Sequence, residues 1–324
     1  MLVDKHGRLA DRLRIGLTDR CDLRCTYCMP LHGNVFAPKS DLLSNDEIVR
    51  VADFLVKRTG VSRIRLTGGE PLLHPGIEDL VRDLATLDIE DLALTTNAQL
   101  LADHAEGLAR AGLRRVNISL DTLRPERFDA MARVGRLERT LEGIEAAVEA
   151  GLGPVKLNCV VMRGDNDDEV GDLVRYALDR DLELRFLELM SIGEAAAFHS
   201  EKYVTSEETR ERLAREFAME DRPFEAGETA HVFGIRNGTR AGSVGFISPV
   251  SKPFCTSCRR LRLSGTGVLR GCLMNAAGPD VRAIIRSGDA DWEDQLARTV
   301  LTAINQKPWL SKMETQVAMH RLGG

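Results

Sequence analysis

From residue 13 to about residue 190 the chain repeats one pattern. A short run of alternating apolar and polar positions is followed by a longer stretch with an apolar position every three or four residues. The short runs predict strands over 13–17, 64–67, 92–95, 116–120, 155–161 and 184–189. The stretches between them predict helices. Ser44 followed by Glu47 reads as a capping box, and Ile48, Val51, Ala52 and Leu55 then give one apolar face. Leu137, Leu141, Ile144 and Val148 give another. Six strand–helix units in series imply parallel strands with right-handed crossovers. Both an open doubly wound sheet and a βα barrel satisfy that order.

The strand faces separate the two. Leu13-Arg14-Ile15, Ile64-Arg65-Leu66, Val116-Asn117-Ile118-Ser119-Leu120 and Val155-Lys156-Leu157-Asn158 all alternate. Successive side chains point to opposite faces of a sheet. One face is therefore apolar and covered by helices, while the other carries Arg14, Arg65, Asn117, Ser119, Lys156 and Asn158. A doubly wound sheet buries both faces and does not tolerate this. A partly open barrel with a wet lumen does. Beyond residue 190 the pattern changes to a helix near 206–217, two strands near 230–236 and 243–249, and helices near 281–287 and 292–304. The expected fold is α/β: a partial (βα)6 TIM-like barrel over 1–205 and a C-terminal α+β extension over 206–324.

Composition narrows the function classes. The chain has 324 residues, 43% of them hydrophobic, with net charge −5. That length suits one large domain plus an extension. The acidic balance gives no broad attraction to nucleic acid or to an anionic membrane, so an anionic ligand must find a local basic site. Residues 1–13 hold no apolar signal core, and no apolar run approaches the roughly 20 residues of a membrane helix. The expectation is a cytoplasmic protein, where clustered cysteines are metal ligands or catalysts rather than disulfides. Six of the seven cysteines fall in two tight groups. Cys159 stands alone in an apolar run and reads as a core residue.

The first group, Cys21, Cys25 and Cys28, is a C-x₃-C-x₂-C motif in the loop after the first strand. Three thiolates hold three irons of a cubane and leave the fourth iron open. Structural zinc wants four ligands, and the nearest further candidate is His32. The motif resembles the signature of the radical S-adenosylmethionine superfamily. In that superfamily the open iron binds the amino and carboxylate groups of the cofactor, and the resulting 5′-deoxyadenosyl radical takes a hydrogen atom from substrate. The resemblance places Tyr27 near the adenine. It also covers Thr67-Gly68-Gly69-Glu70-Pro71 at the end of the second strand, where glycines allow close backbone approach and Glu70 suits the methionine ammonium. Active sites of βα barrels lie at that strand end. By the same resemblance Ser119 and Met190 line the cofactor.

The second group, Cys255, Cys258 and Cys272, is C-x₂-C-x₁₃-C, again three thiolates without a close fourth ligand. A second 4Fe-4S cluster with an open iron fits it better than a zinc ribbon, which needs another C-x₂-C pair. Arg259-Arg260-Leu261-Arg262 lies between these cysteines. Such a run is commonly a solvated face, but arginine forks beside metal ligands suit phosphate oxygens. With Arg14, Arg65 and Lys156 they point to a multiply anionic substrate.

From about Arg8 to Gly324 the chain resembles the GTP 3′,8-cyclase family of molybdenum-cofactor biosynthesis. The resemblance runs through Asp19 to Pro30, Arg65 to Pro71, Leu94 to Asn97, Arg115 to Asp121, Phe254 to Leu263 and the terminal Gly323-Gly324. It implies two 4Fe-4S clusters with GTP between them, hydrogen abstraction at ribose C3′ and bond formation from C3′ to C8. It implies GTP contacts at Arg14, Arg65, Thr95, Lys156, Arg260 and Arg262, and entry of the tail glycines into the site. It further implies transfer of the product to cyclic pyranopterin monophosphate synthase, a reduced flavodoxin- or ferredoxin-type electron donor, and a monomer or homodimer. No side chain is assigned as an acid–base catalyst. Ala98 and Gly16 depart from the family pattern, which has glycine and serine there. The enzyme alternative is a peptide-modifying radical enzyme with an auxiliary cluster, although those with an extended cysteine domain need more cysteines than this chain has. A metal-dependent binding protein without catalysis would be expected to lose one of Cys21, Cys25, Cys28 or Glu70.

Overall fold

The computed structural model describes residues 1–225, 227–275, 277–315, 317 and 319. Gly323-Gly324 therefore lie outside the described residues. The six expected strands are β1 (Arg12–Gly16), β2 (Arg63–Thr67), β3 (Asp91–Thr96), β4 (Arg115–Ser119), β5 (Lys156–Val161) and β6 (Glu183–Glu188). They lie side by side in sequence order, all parallel. Helices α1 (Asn45–Thr59), α2 (Ile77–Ala85), α3 (Leu101–Arg110), α4 (Pro125–Ala132), α5 (Leu137–Glu149) and α6 (Val170–Asp179) fall between them. The apolar strand positions, among them Leu13, Ile15, Ile64, Leu66, Val116, Ile118 and Leu157, are buried in one core with the helix faces.

Local rules explain the helix ends. Ser44 accepts from Glu47 N while the Glu47 carboxylate accepts from Ser44 N, and Gly60 closes α1 at φ 79°. The apolar face expected for α5 differs by one position. Val148 is exposed, and the buried face runs through Leu137, Thr140, Gly143, Ile144 and Ala147. Gly143 sets this rotation: a Cβ there would lie 2.6 Å from the carbonyl oxygen of Ala98, so the helix presents its glycine to that loop. Ala98 itself takes φ 64°, the left-handed conformation that glycine occupies more easily.

The C-terminal region does not form a separate sheet. After β7 (Ser191–Ile192), α7 (His199–Lys202) and α8 (Ser206–Ala214) come β8 (Ala218–Asp221), β9 (His231–Asn237) and β10 (Arg240–Ile247). They form an antiparallel meander, and β10 adds in parallel to β6. At the other edge β11 (Arg260–Leu263) adds in parallel to β1, and β12 (Leu269–Arg270) pairs with it. One sheet of 11 strands thus runs β12-β11-β1-β2-β3-β4-β5-β6-β10-β9-β8. Then come α9 (Val281–Arg286), α10 (Trp292–Asn305) and β13 (Glu314–Thr315), which pairs in parallel with β7 just after Met190.

Candidate active site

Strand register builds the site. Arg262 of β11 lies opposite Arg14 of β1, and Arg14 lies opposite Arg65 of β2. In-register neighbours on parallel strands share a face, so three arginines stand in a row on the lumen side. The same alternation that aims Arg260 and Arg262 inward buries Leu261 and Leu263 outward. Arg259 turns away to pair with Asp11. A second row crosses Thr95, Asn117, Lys156 and Glu183.

These rows line a cavity of about 300 Å³. Arg14, Arg65, Thr95, Ser119, Met190, Arg260 and Arg262 are in its wall, with Tyr27 from the first cysteine loop and Cys255, Cys258 and Cys272 from the second group. Lys156 is placed differently. It lies in an adjoining chamber of about 350 Å³ toward the start of the strands, which shares Arg14, Arg65 and Arg260 with the first. Its Nζ donates to Glu183 at 2.9 Å.

Crowding leaves a clear electrostatic mark. Burial pulls Arg65 down to about 9, with Arg115 and Arg185 adding repulsion. Burial and then Arg260 bring Arg262 to about 9. Arg14 is lowered by burial and by Arg262, Arg260 and Arg65. Arg65 and Arg262 stay charged at neutral pH, and their mutual repulsion is one that a bound polyanion relieves.

The Gly-Gly-Glu turn packs closely against the first cysteine loop. A Cβ on Gly69 would sit 2.1 Å from the carbonyl oxygen of Arg20, and one on Gly68 2.5 Å from that of Thr18. Gly69 N donates to Thr18 O and Glu70 N to Arg20 O, each at 2.7 Å. The turn therefore grips the loop that leads into Cys21. Glu70 is buried and outside the cavity wall. It accepts from Leu72 N (3.0 Å), Thr96 Oγ1 (2.7 Å) and Asn97 N (2.8 Å). Three of a carboxylate's roughly four acceptor positions are thus filled by protein. Burial raises its carboxyl to about 7 against these bonds.

Both cysteine groups suit iron–sulfur clusters in their donors. Leu23 N and Asn97 Nδ2 point at Cys21 Sγ, at 3.4 and 3.6 Å, as donors to a ligating sulfur do. Burial pushes the Cys21 and Cys25 thiols up, and negative neighbours add to it: Glu70 at Cys21, Cys28 at Cys25. Such thiols need a cationic guest to ionise. At Cys258 burial is outweighed by Arg260 and Lys307, and the thiol falls to about 6. His32 is exposed. Cys159 is fully buried, as its apolar surroundings predict.

Three further residues enter the site. Asp121 accepts from Tyr27 O–H at 2.7 Å and from Val160 N at 2.8 Å, and burial raises it to about 6. It fixes the aromatic ring of the cysteine loop at the cavity wall. Asn117 is buried, and its Oδ1 has no partner among the described residues, leaving an acceptor available to a ligand. Arg185 lines both chambers and pairs with Glu183 at 2.6 Å. Its signal lay in the strand alternation, Leu184-Arg185-Phe186, on the same reasoning that found Arg14 and Arg65.

A model described as the Radical SAM superfamily matches residues 15–177, and one described as Molybdenum Cofactor Synthesis C matches residues 182–313. The crystal structure of Streptococcus suis SuiB shares the fold, with a TM-score of 0.61 at 16% identity over 93% of this chain and 69% of that one. Barrel, cysteine loop and lumen thus define a radical S-adenosylmethionine protein. The GTP 3′,8-cyclase of Listeria monocytogenes is 43% identical over 312 residues, covering 95% of this chain and 91% of that protein. That of Moorella thermoacetica is 44% identical over 328 residues, 99% of each. The chain belongs to the GTP 3′,8-cyclase family.

Proposed function

We propose that the chain converts GTP to (8S)-3′,8-cyclo-7,8-dihydroguanosine 5′-triphosphate, a carbon–carbon bond-forming lyase reaction that begins molybdenum cofactor biosynthesis. When bound, a 4Fe-4S cluster at each cysteine group and S-adenosylmethionine supply the electron and the hydrogen abstraction at ribose C3′. The chain's own residues bind, orient and enclose. Arg14, Arg65, Arg260 and Arg262 take the triphosphate, and Lys156 meets its distal end from the adjoining chamber. Thr95 and the free Oδ1 of Asn117 take donors of the nucleoside. Tyr27, Gly69, Glu70, Ser119 and Met190 hold S-adenosylmethionine, with Glu70 acting chiefly through the turn it braces. Holding C3′ against C8 makes ring closure a positioned intramolecular step.

The observation that carries this reading is the row Arg262, Arg14 and Arg65, set beside the second cysteine group in one cavity. A peptide substrate would have no use for it. Residues 1–205 then form the radical S-adenosylmethionine barrel and 206–324 the region that carries the second cluster, and both contribute nucleotide contacts on one shared sheet. A cytoplasmic monomer or homodimer, a reduced flavodoxin- or ferredoxin-type donor, and delivery of product to cyclic pyranopterin monophosphate synthase complete the proposal. No helix among the described residues is long and apolar enough to cross a membrane.

The test is an anaerobic assay of cluster-reconstituted protein with S-adenosylmethionine, reductant and GTP, read by mass spectrometry. Stoichiometric 5′-deoxyadenosine with an acid-labile isomer of GTP is expected. Deoxyadenosine without a GTP product, from protein holding both clusters, would remove GTP as substrate. Arg260→Ala is expected to weaken GTP binding about 10- to 100-fold, the worth of a charge-assisted contact, measured per intact second cluster because Arg260 also favours the Cys258 thiolate. Unchanged affinity in equilibrium binding would contradict the assignment.

A further inference from the structure

Two buried cations behind the second cysteine group have no part in the proposed chemistry. Arg8 precedes β1 and is 6% exposed; Lys307 follows α10 and is 2% exposed. Lys307 Nζ donates to the carbonyl of Cys258 at 2.5 Å and to that of Arg260 at 3.3 Å. Arg8 donates to the carbonyl of Cys255 at 2.6 Å, to that of Pro308 at 2.9 Å and to that of Trp309 at 3.3 Å. The two ends of the described chain therefore meet on the loop that carries the second thiols. Ser311 Oγ then lies 3.2 Å from Cys272 Sγ, so the segment after Lys307 continues along the same group.

The charges are unevenly compensated. Arg8 has a carboxylate partner, Asp4, at 2.6 Å. Lys307 hydrogen-bonds only to carbonyl oxygens among the described residues. Burying an ammonium without an anion costs several kcal/mol. Carbonyls supply dipoles but no net charge. Asp4 acts on Lys307 as well as on Arg8, but Arg8 opposes it there, and the larger favourable influence comes from Cys258; the sulfurs of that group are deprotonated when they ligate metal.

We propose that Lys307 and Arg8 are positioning residues of the second cluster, both fixing the backbone of its ligand loop and Lys307 adding buried positive charge beside its thiolates to that of Arg260. The inference rests on the reading of Cys255, Cys258 and Cys272 as a cluster site. It assigns the segment before the barrel and the end of α10 to the cofactor, although neither touches substrate. It also orders the two cations. Lys307 acts through charge and hydrogen bonds, whereas Arg8, neutralised by Asp4, acts mainly through its three carbonyl contacts.

The test uses full-length protein reconstituted anaerobically. It follows each cluster by iron content, spectroscopic signature, midpoint potential and rate of iron loss to a chelator. Lys307→Met keeps the apolar stem and removes the charge. It is expected to release iron from the second cluster roughly 10-fold faster than the parent, the usual scale for a residue supporting a ligand. Its second-cluster potential is expected to fall, because a reduced cluster loses a nearby cation. The first cluster is expected to be unchanged, and Lys307→Arg to restore both readouts. Arg8→Met is expected to speed iron loss with a smaller change in potential. A second cluster as stable, and at the same potential, as the parent's in Lys307→Met would overturn the proposal. Equal loss from both clusters would also overturn it, by marking a general folding role. A parent protein that loads only the first cluster would instead overturn the two-cluster reading and this inference with it.

Discussion

Cys25→Ala is expected to abolish formation of 5′-deoxyadenosine, whereas Cys258→Ala is expected to leave that reaction running and to stop conversion of GTP. The two thiols belong to loops with separate anchors. Cys25 sits in a tight turn, where its carbonyl accepts from Cys28 N at 2.9 Å and Met29 N at 3.1 Å. That loop is held by the Gly-Gly-Glu turn on one side and by Ala132 O and Met131 O, which accept from Arg24 N and Thr26 N, on the other. None of these contacts reaches the second group. Cys258 lies across the cavity, in its wall beside Arg260 and Arg262. On the proposed function its loss would leave the cofactor side intact and the nucleotide without its anchor, so hydrogen abstraction is expected to run uncoupled from ring closure. The measurement is deoxyadenosine and nucleotide product per cluster, in samples whose iron is assigned to each site. Equal loss of cofactor cleavage in both variants, with the first cluster intact in Cys258→Ala, would sink this division of labour.

How much of this was legible depended on whether local pattern or tertiary contact decided each feature. The six parallel strands lie within one residue of where alternation put them, because each strand buries one face and exposes the other to a polar lumen. The same alternation in Arg260-Leu261-Arg262-Leu263 is the signature of β11. Read as a charge run, it hid a strand that extends the barrel beside β1. That pairing joins residues about 250 positions apart, which no local window can contain. Val148 was misplaced for a related reason: the rotation of α5 is set by Gly143 against Ala98, not by the count of apolar residues. Both cysteine groups stand out by their spacing alone, because C-x₃-C-x₂-C and the C-x₂-C pair are local patterns. The partners that fix them, Asp121 for Tyr27 and Lys307 for Cys258, come from distant segments and carry no motif.

The Gly-Gly-Glu turn has a second, structural task that its motif does not show: besides the ligand approach the sequence suggests, its glycines pack against the cysteine loop. Gly69→Ala is accordingly expected to cost the protein its first cluster. The added methyl would stand 2.1 Å from the oxygen and 2.6 Å from the carbon of the Arg20 carbonyl. Those are backbone atoms, so no side chain can swing aside, and relief requires the loop to move. Movement breaks the 2.7 Å bonds from Gly69 N to Thr18 O and from Glu70 N to Arg20 O, and carries Cys21 with it. Overpacking of this kind costs about 1–3 kcal/mol, which the large buried core absorbs, so the barrel is expected to fold. Displacing one of three ligands is a sharper loss than that. Iron at the first site is expected to fall at least about 10-fold, the scale seen when even a residue behind a metal ligand is removed. The second cluster is expected to stay near that of the parent, since its ligands lie on the loops around Cys258 and Cys272, and GTP affinity is expected to stay too, since Arg14 and Arg65 sit in the middle of β1 and β2, before the loop that moves. Iron content, the spectrum of each cluster and a melting curve on the same sample decide the matter. A Gly69→Ala protein that loads its first cluster as fully as the parent would show that the loop is free to shift and that the glycine does not brace it.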